Sequence, residues 1–263
     1  MLFKFKKSEI DLDCFTDDPV QYEVAKIRSG KAFFPEWFKK TSLINKEYDG
    51  LTIKGCNGLK DFYSASVIIP SWFSMILEII KNQNNTFEYS VNFSDGGPEG
   101  LSSHSSLQYE HFKTDFSENF KINNPWYFKT KEDIKFVWSQ PTWSHPEMLS
   151  VLHLLPAVVD FKYQSGTNIS WMITAQAEYK KIEIDPLDAL VALHPMTEKE
   201  IKIHNHLVDP SEIDRIYGYD MIHKMRSGTF MRNKRQRKIK YFNKLEEIEK
   251  KCPVNSTNHL KNG

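Results

Sequence analysis

The residues with the clearest capacity for chemistry are two histidines separated by one residue, His204 and His206. On a β-strand, alternate side chains point to the same face, so both imidazole rings can contact one ligand. Imidazole is a common ligand of zinc and iron, and a third ligand from a neighbouring strand, such as His194, Asp185 or Asp188, would complete a site. A metal site needs three or four converging ligands, and the sequence places only the pair together. The spacing therefore favours two histidines on a surface strand over a metal centre.

The residues around this pair depart from two known patterns of metal-dependent sandwich enzymes. Cupins carry a Glu a few residues after the second His, whereas residues 207–210 are Leu, Val, Asp and Pro. Oxygenases that use iron and 2-oxoglutarate carry His-x-Asp, and neither His145 nor His153 begins such a motif. A metal-dependent jelly-roll enzyme of either kind, using iron or zinc, is therefore the alternative function. We predict no cofactor, and the absence of nucleophile, phosphate-loop, zinc-finger and dinucleotide motifs favours a protein that is not an enzyme.

Charge is concentrated in one segment, residues 224–240, where eight basic residues occur without an acidic one. A basic helix can neutralise phosphates, so nucleic-acid binding is one interpretation of this segment. The whole chain has a net charge of only +1, however, and residues 231–240, where most of the basic residues lie, contain no interleaved aromatic residues on which bases stack. We therefore favour a helix that docks on a protein partner or on a second copy of the chain. Its apolar stripe is Ile239, Phe242, Leu245 and Ile248, and its candidate binding residues include Lys234, Arg235, Arg237 and Lys238.

Two further candidate binding residues are suggested by the residues beside them. Trp143 lies between Pro141 and Pro146, which favours exposure of its ring as a shelf for a sugar or a base. His104 lies in the Gly- and Ser-rich residues 94–106, which predict a surface loop, and its ring can titrate near neutral pH. Nothing near His104 in sequence supplies a partner of the kind that functional sites show, so an exposed histidine without a role is the favoured interpretation.

The elements that must position these residues are mainly strands. Residues 122–195 are short runs rich in Val, Ile, Phe and Trp, punctuated by Pro, Gly and Asn, which predicts consecutive strands. Residues 87–93 alternate apolar and polar side chains and predict a strand paired with residues 72–80, for which a helix is the alternative. Around Phe136 and Trp138 the alternation with Ile134 predicts burial.

We predict a mainly β, jelly-roll-like β-sandwich with a short N-terminal helix and C-terminal helices. Pro35 would begin the N-terminal helix, whose Trp37 and Phe38 should be buried, and Asp209 and Pro210 would begin a C-terminal one. The predicted organisation is a β-sandwich domain with N-terminal helical elements at 1–208, a helical extension at 209–252 and a disordered tail at 253–263.

Composition restricts the class of protein. Hydrophobic residues make up 40% of the chain, enough for a core and too many for global disorder. Cys14, Cys56 and Cys252 are too widely spaced for a metal-ligand pair and too few for a disulfide framework, which favours an intracellular setting. The N-terminal residues lack the apolar run of a signal peptide, and no segment has the roughly 20 apolar residues of a membrane span. We expect a soluble protein that is neither secreted nor bound to a membrane.

Five segments resemble a family of tailed-phage proteins of marine and other bacteria whose functions are not established. They are FFPEWFKKT, LTIKGCNGLKDFYSASVIIPSW, NNPWYFKTK, VVDF and IEIDPLDALVALHP. Residues 52–56 (TIKGC) and 125–126 (PW) match the family's segments, while the glycine expected in residues 184–188 is missing. The resemblance implies a jelly-roll-like fold and a phage-encoded protein of the host cytoplasm or the virion. It carries no catalytic residues, so a non-enzymatic interaction protein or a minor virion protein is the favoured function.

Overall fold

The structure is a computed structural model that describes residues 9–47, 49–81, 87–94, 101–103, 116–141, 144, 146–162, 164–165, 168–174 and 179–218. The chain divides into two compact units, Met1–Ile213 and Asp214–Gly263. Of the second unit, the structure describes one π-helical turn, Asp214–Gly218. The predicted second C-terminal helix and the tail lie outside the described residues.

The first unit is mainly β, as the sequence predicts, and is consistent with a β-sandwich. Its described strands are β1 (Glu9–Thr16), β2 (Arg28–Ser29), β3 (Ile44–Asn45), β4 (Gly50–Leu51), β5 (Val67–Pro70), β6 (Met75–Lys81), β7 (Phe87–Phe93), β8 (Leu101–Ser102), β9 (Phe116–Ile122), β10 (Tyr127–Lys129), β11 (Phe136–Ser139), β12 (Leu152–Leu154), β13 (Ala157–Val159), β14 (Ile169–Thr174), β15 (Tyr179–Ile184), β16 (Ala189–Pro195) and β17 (Glu200–Leu207). They form sheets in the orders β10-β1-β17, β13-β11-β16-β5-β2, β12-β14-β9-β8, β15-β6-β7 and β3-β4. Jelly-roll connectivity stays a prediction.

The helices are short. They are α1 (Pro19–Val24), α2 (Glu36–Lys40), α3 (Asn57–Ala65), α4 (Pro146–Leu149) and α5 (Pro210–Ile213), with 3₁₀ turns at Gly30–Phe33 and Ile53–Gly55. In the described part of the chain, no helix is long and apolar enough to cross a membrane. The predicted start of the C-terminal helix at Pro210 is confirmed, and the Asp209 carbonyl accepts a hydrogen bond from the Glu212 backbone N–H.

Two chain segments pass together from one sheet into another. β5 and β6 are consecutive along the chain, and they pair antiparallel with β16 and β15, which are also consecutive. Between the two ladders, the Ser71 backbone N–H donates to the Asp188 carbonyl and the Leu187 N–H donates to the Ser71 carbonyl. Leu187 has a φ of 74°, in the left-handed region that favours glycine. The turn between β15 and β16 is therefore made with a leucine held in a strained backbone conformation.

Aromatic rings join the sheets around one core. The buried ring of Phe120 on β9 contacts Trp171 on β14 and Tyr89 on β7, which brings two sheets together. Phe161 contacts Phe128 on β10 and Phe136 on β11, which brings another two together. Each of these rings buries apolar surface of the sheets that it contacts, so the large aromatic residues hold neighbouring sheets together.

Ile134, Phe136 and Trp138 are buried, as the alternation predicts. β6 and β7 form the predicted strand pair, so the helix considered for residues 72–80 is wrong. α2 buries Phe38 but leaves Trp37 37% exposed, so the prediction that both rings are buried is wrong for Trp37. The reason is the length of α2, since five residues turn only part of their surface towards a core.

Candidate functional site

The two histidines of the His-x-His sequence lie on β17, and each contacts an aspartate of β1. His204 Nε2 lies 2.7 Å from Asp11 Oδ1, and His206 Nε2 lies 2.8 Å from Asp13 Oδ1. β1 and β17 are parallel and in register over eight residue pairs, which places alternate side chains of both strands on one face. An ionised carboxylate only accepts hydrogen bonds, so Nε2 of each ring carries the proton and donates it.

This paired arrangement leaves the rings with little capacity to hold a metal. With Nε2 bonded to an aspartate, a metal would have to displace the carboxylate or bind Nδ1. His206 is also stacked on Phe15, with ring centroids 4.8 Å apart. Cys14 lies on the opposite, buried side of β1, where desolvation raises the pKa of its thiol well above the ordinary value. The two His–Asp pairs therefore join β1 to β17 on the solvent face of this strand pair.

The proposed third ligands lie elsewhere in the fold. His194 is on β16, where its ring centroid is 4.2 Å from that of Phe62, and burial lowers its pKa. The Asp188 carboxylate accepts a hydrogen bond of 2.8 Å from the Asp185 backbone N–H, which closes the turn between β15 and β16. Among the residues that the structure describes, no group of three or more His, Cys, Asp or Glu side chains is placed to hold a metal ion. The fallback metal site with His194 stays a prediction.

Several candidate residues lie outside the described residues. They are Trp143, His104 and the basic residues Lys234, Arg235, Arg237 and Lys238. The exposed shelf and the basic docking helix therefore stay predictions. The other tryptophans of the central strands are core residues, because Trp126, Trp138 and Trp171 are almost fully buried.

Five large apolar side chains in the segment from α2 to the 3₁₀ turn before α3 are exposed. We call them the apolar ridge: Trp37, Leu43, Ile44, Leu51 and Ile53. Ile44 on β3 faces Leu51 on β4 across the hairpin, and these side chains are 51% and 68% exposed. Large apolar side chains concentrated in one surface segment are typical of a binding surface, whereas scattered ones need no explanation.

Hydrogen bonds fix the backbone beneath the ridge. The Thr52 backbone N–H donates to the Leu43 carbonyl at 3.0 Å, and the Thr52 hydroxyl donates to the Ser42 carbonyl. The Lys54 ammonium donates to the Lys39 carbonyl at 2.7 Å, which ties the 3₁₀ turn to the end of α2. The ridge is therefore part of the folded structure, and its side chains are presented by a backbone that is already ordered.

Sequence reasoning did not find this ridge. The sequence predicts a helix beginning at Pro35 whose Trp37 and Phe38 are both buried. β3 and β4 have two residues each, so no alternation is long enough to show which side faces solvent. The sequence did contain one signal of surface exposure: in residues 37–54, large apolar residues alternate irregularly with several lysines.

A scan against models of protein families, a search of curated proteins and a search of solved structures find no match to this chain. The resemblance to tailed-phage proteins, which depends on segments such as residues 52–56, stays a prediction.

Proposed function

We propose that the protein is a non-enzymatic interaction protein that binds through the apolar ridge, and that its partner on this surface is a second copy of the chain. The observation that carries the proposal is the exposure of Leu43, Ile44, Leu51 and Ile53 within one short segment. Covering apolar surface contributes about 25 cal/mol per Å², so these side chains favour association. The two His–Asp pairs between β17 and β1 offer no comparable gain in binding free energy, because their polar groups already bind each other.

The β3–β4 hairpin supports self-association through its geometry. It is a two-stranded sheet, and in the described part of the chain no third strand pairs with it. Exposed strand edges pair readily with another strand, and a two-fold axis brings the same edge of two copies together. A second hairpin would then cover Ile44 and Leu51 with the equivalent residues of its own surface.

The charges around the ridge also suit a second copy. Glu36 and Lys39 form an ion pair of 2.6 Å, and exposed Lys40, Lys46 and Glu47 give the border both signs of charge. A surface of mixed sign can complement itself, whereas a single sign would repel its copy. The net charge of +1 adds little repulsion between whole molecules.

Sedimentation equilibrium of the full chain tests this proposal. The wild-type protein should form dimers as its concentration rises, and the double variant Ile44→Asp, Leu51→Asp should stay monomeric because two carboxylates would be buried in the interface. Val20→Asp is the matched control, since Val20 is 65% exposed in α1, outside the ridge. It should dimerise like the wild type.

Two outcomes would contradict the proposal. One is a wild-type chain that stays monomeric up to about 1 mM, a concentration that corresponds to only about 4 kcal/mol of binding free energy. The other is a ridge variant that still dimerises while Phe242→Asp, Leu245→Asp does not. That second result would assign association to the C-terminal segment.

We further propose that this interaction protein is phage-encoded and acts in the host cytoplasm or as a minor virion component. The support is the resemblance carried by the FFPEWFKKT and TIKGC segments, which include ridge residues Trp37 and Ile53. Mass spectrometry of purified particles separates the two locations. A fixed copy number in particles would exclude a purely cytoplasmic role, and absence from particles would exclude the virion role.

A further inference from the structure

A cleft of about 500 Å³ opens between two strand edges on the side of the fold away from β1. β17 contributes Glu200, Ile201 and Ile203 to its lining, and β2 contributes Ser29. The C-terminal half of α3 and the start of β5 form another wall. β17 is the last strand of the sheet β10-β1-β17, and β2 is the last strand of the sheet β13-β11-β16-β5-β2. The cleft therefore separates the edges of two sheets.

The two edges meet at one end of the cleft. The Asn205 side chain on β17 accepts a hydrogen bond from the Ile27 backbone N–H and donates one to the Ile27 carbonyl, both at 3.0 Å. The amide thus takes the place of a peptide group from a neighbouring strand. At the start of β17, Glu200 lines the cleft, as does Ser29 of β2.

The wall on the β2 side is rigid. The Gly30 backbone N–H donates to the Ser66 carbonyl at 2.8 Å, just after β2. A Cβ built at Gly30 would collide with the Ser66 hydroxyl and with the Tyr63 carbonyl, so only glycine allows this approach. This contact holds the end of α3 against the turn that follows β2.

The backbone and side chains of β17 that line the cleft suit an extended peptide. On β17, alternate backbone N–H and C=O groups point away from β1, and no described strand pairs with them on that side. Ile201 and Ile203 are half-buried at a spacing of two, which matches alternate side chains of an added strand. The section of β17 from 200 to 203 is about 13 Å long at 3.3 Å per residue.

The charges of the lining indicate the composition of that peptide. Three carboxylates, Asp61, Glu198 and Glu200, and two ammonium groups, Lys31 and Lys199, line the cleft. All five residues are exposed, and the ion pairs found among the described residues involve none of them. The excess of carboxylates favours a cationic ligand.

We propose that this cleft binds an extended, lysine- or arginine-containing peptide of another protein, which pairs its backbone with the free edge of β17. The peptide would continue the sheet β10-β1-β17 by one strand, in the manner of strand addition. Backbone hydrogen bonds to β17 supply affinity, and the contacts with Ile201, Ile203 and the carboxylates supply specificity. This site is separate from the apolar ridge, so each can fail without the other.

A fluorescein-labelled hexapeptide of alternating lysine and valine is the probe, with fluorescence anisotropy of the full chain as the readout. The same peptide with N-methyl groups on alternate backbone nitrogens should bind at least tenfold more weakly, because it cannot donate hydrogen bonds to β17. Ala65→Trp, which fills the cleft from the exposed end of α3, should weaken binding of the unmodified peptide by a similar factor. Asn57→Trp, at the exposed start of α3 and outside the cleft lining, should leave binding unchanged.

The proposal would be overturned by an absence of saturable binding up to about 1 mM, by equal binding of the N-methylated peptide, or by unchanged binding to the Ala65→Trp variant. The ridge variant Ile44→Asp, Leu51→Asp should bind the probe like the wild type. Loss of binding in that variant would place the peptide on the ridge and contradict the cleft assignment.

Discussion

The solvent face of the β1–β17 pair and the apolar ridge are both exposed, but they differ in what their side chains contact. On the β1–β17 face, His204 and His206 each bind an aspartate of the neighbouring strand. On the ridge, side chains such as Ile44 and Leu51 are presented to water. Bonded polar pairs gain little from a partner, whereas exposed apolar surface gains free energy when it is covered. The chemically suggestive residues here are bonded within the fold, whereas the binding surface that we propose consists of inconspicuous apolar residues.

Within β17, Asn205 lies between the two histidines, and its side chain points to the opposite face of the strand. Asn205→Ala should lower the free energy of unfolding by about 1–3 kcal/mol, because the Ile27 N–H and carbonyl lose their partner in a half-buried setting. Urea denaturation measures the change. Dimer formation should be unaffected, and a cost below about 0.5 kcal/mol would show that the amide bridge does not hold β17 to the segment before β2.

A smaller effect is expected on the solvent face of the same strand. His204→Ala and His206→Ala should each cost less than about 1 kcal/mol of unfolding free energy, because polar side-chain pairs near the surface contribute little. Both variants should dimerise like the wild type in sedimentation equilibrium. If either one abolished dimer formation, the roles assigned to the two surfaces would be reversed.

Sequence reasoning succeeded where a pattern was long and local. Alternation over Ile134, Phe136 and Trp138 predicted their burial, and the polar residues between residues 80 and 87 predicted the β6–β7 hairpin. In each case one segment contains all the information, because periodicity reports which side of a strand faces the core.

The site could not be predicted because its contacts join distant segments. Asp11 and His204 are 193 residues apart, and only the parallel pairing of β1 with β17 brings them together. Parallel pairing has no turn signal of the kind that marks a hairpin. The exposure of Trp37 was missed for a related reason, because a general tendency of aromatic rings to be buried says nothing about the direction of a five-residue helix.

The smallest expected effect is a titration on the β1–β17 face. The hydrogen bond from His204 lowers the pKa of Asp11 below its ordinary value of about 3.9. Because the folded-state pKa is lowered, the stabilisation is present at neutral pH and is lost as the pH falls through that pKa. Carboxyl carbon chemical shifts measured by NMR should show the low pKa in the wild type and a return towards the ordinary value in His204→Ala. An unchanged pKa in the variant would mean that the His204–Asp11 bond is absent in solution.

The most direct test of the ridge as the binding surface is hydrogen–deuterium exchange of the wild-type chain at concentrations below and above its dimer midpoint. Backbone amides of residues 43–53 should exchange more slowly at the high concentration, because the second copy covers Ile44 and Leu51 and pairs with the hairpin edge. Amides of residues 200–207 should exchange equally at both concentrations, since their histidines take no part in the interface. Exchange that is independent of concentration at residues 43–53, or protection that appears at residues 200–207 in their place, would contradict the account.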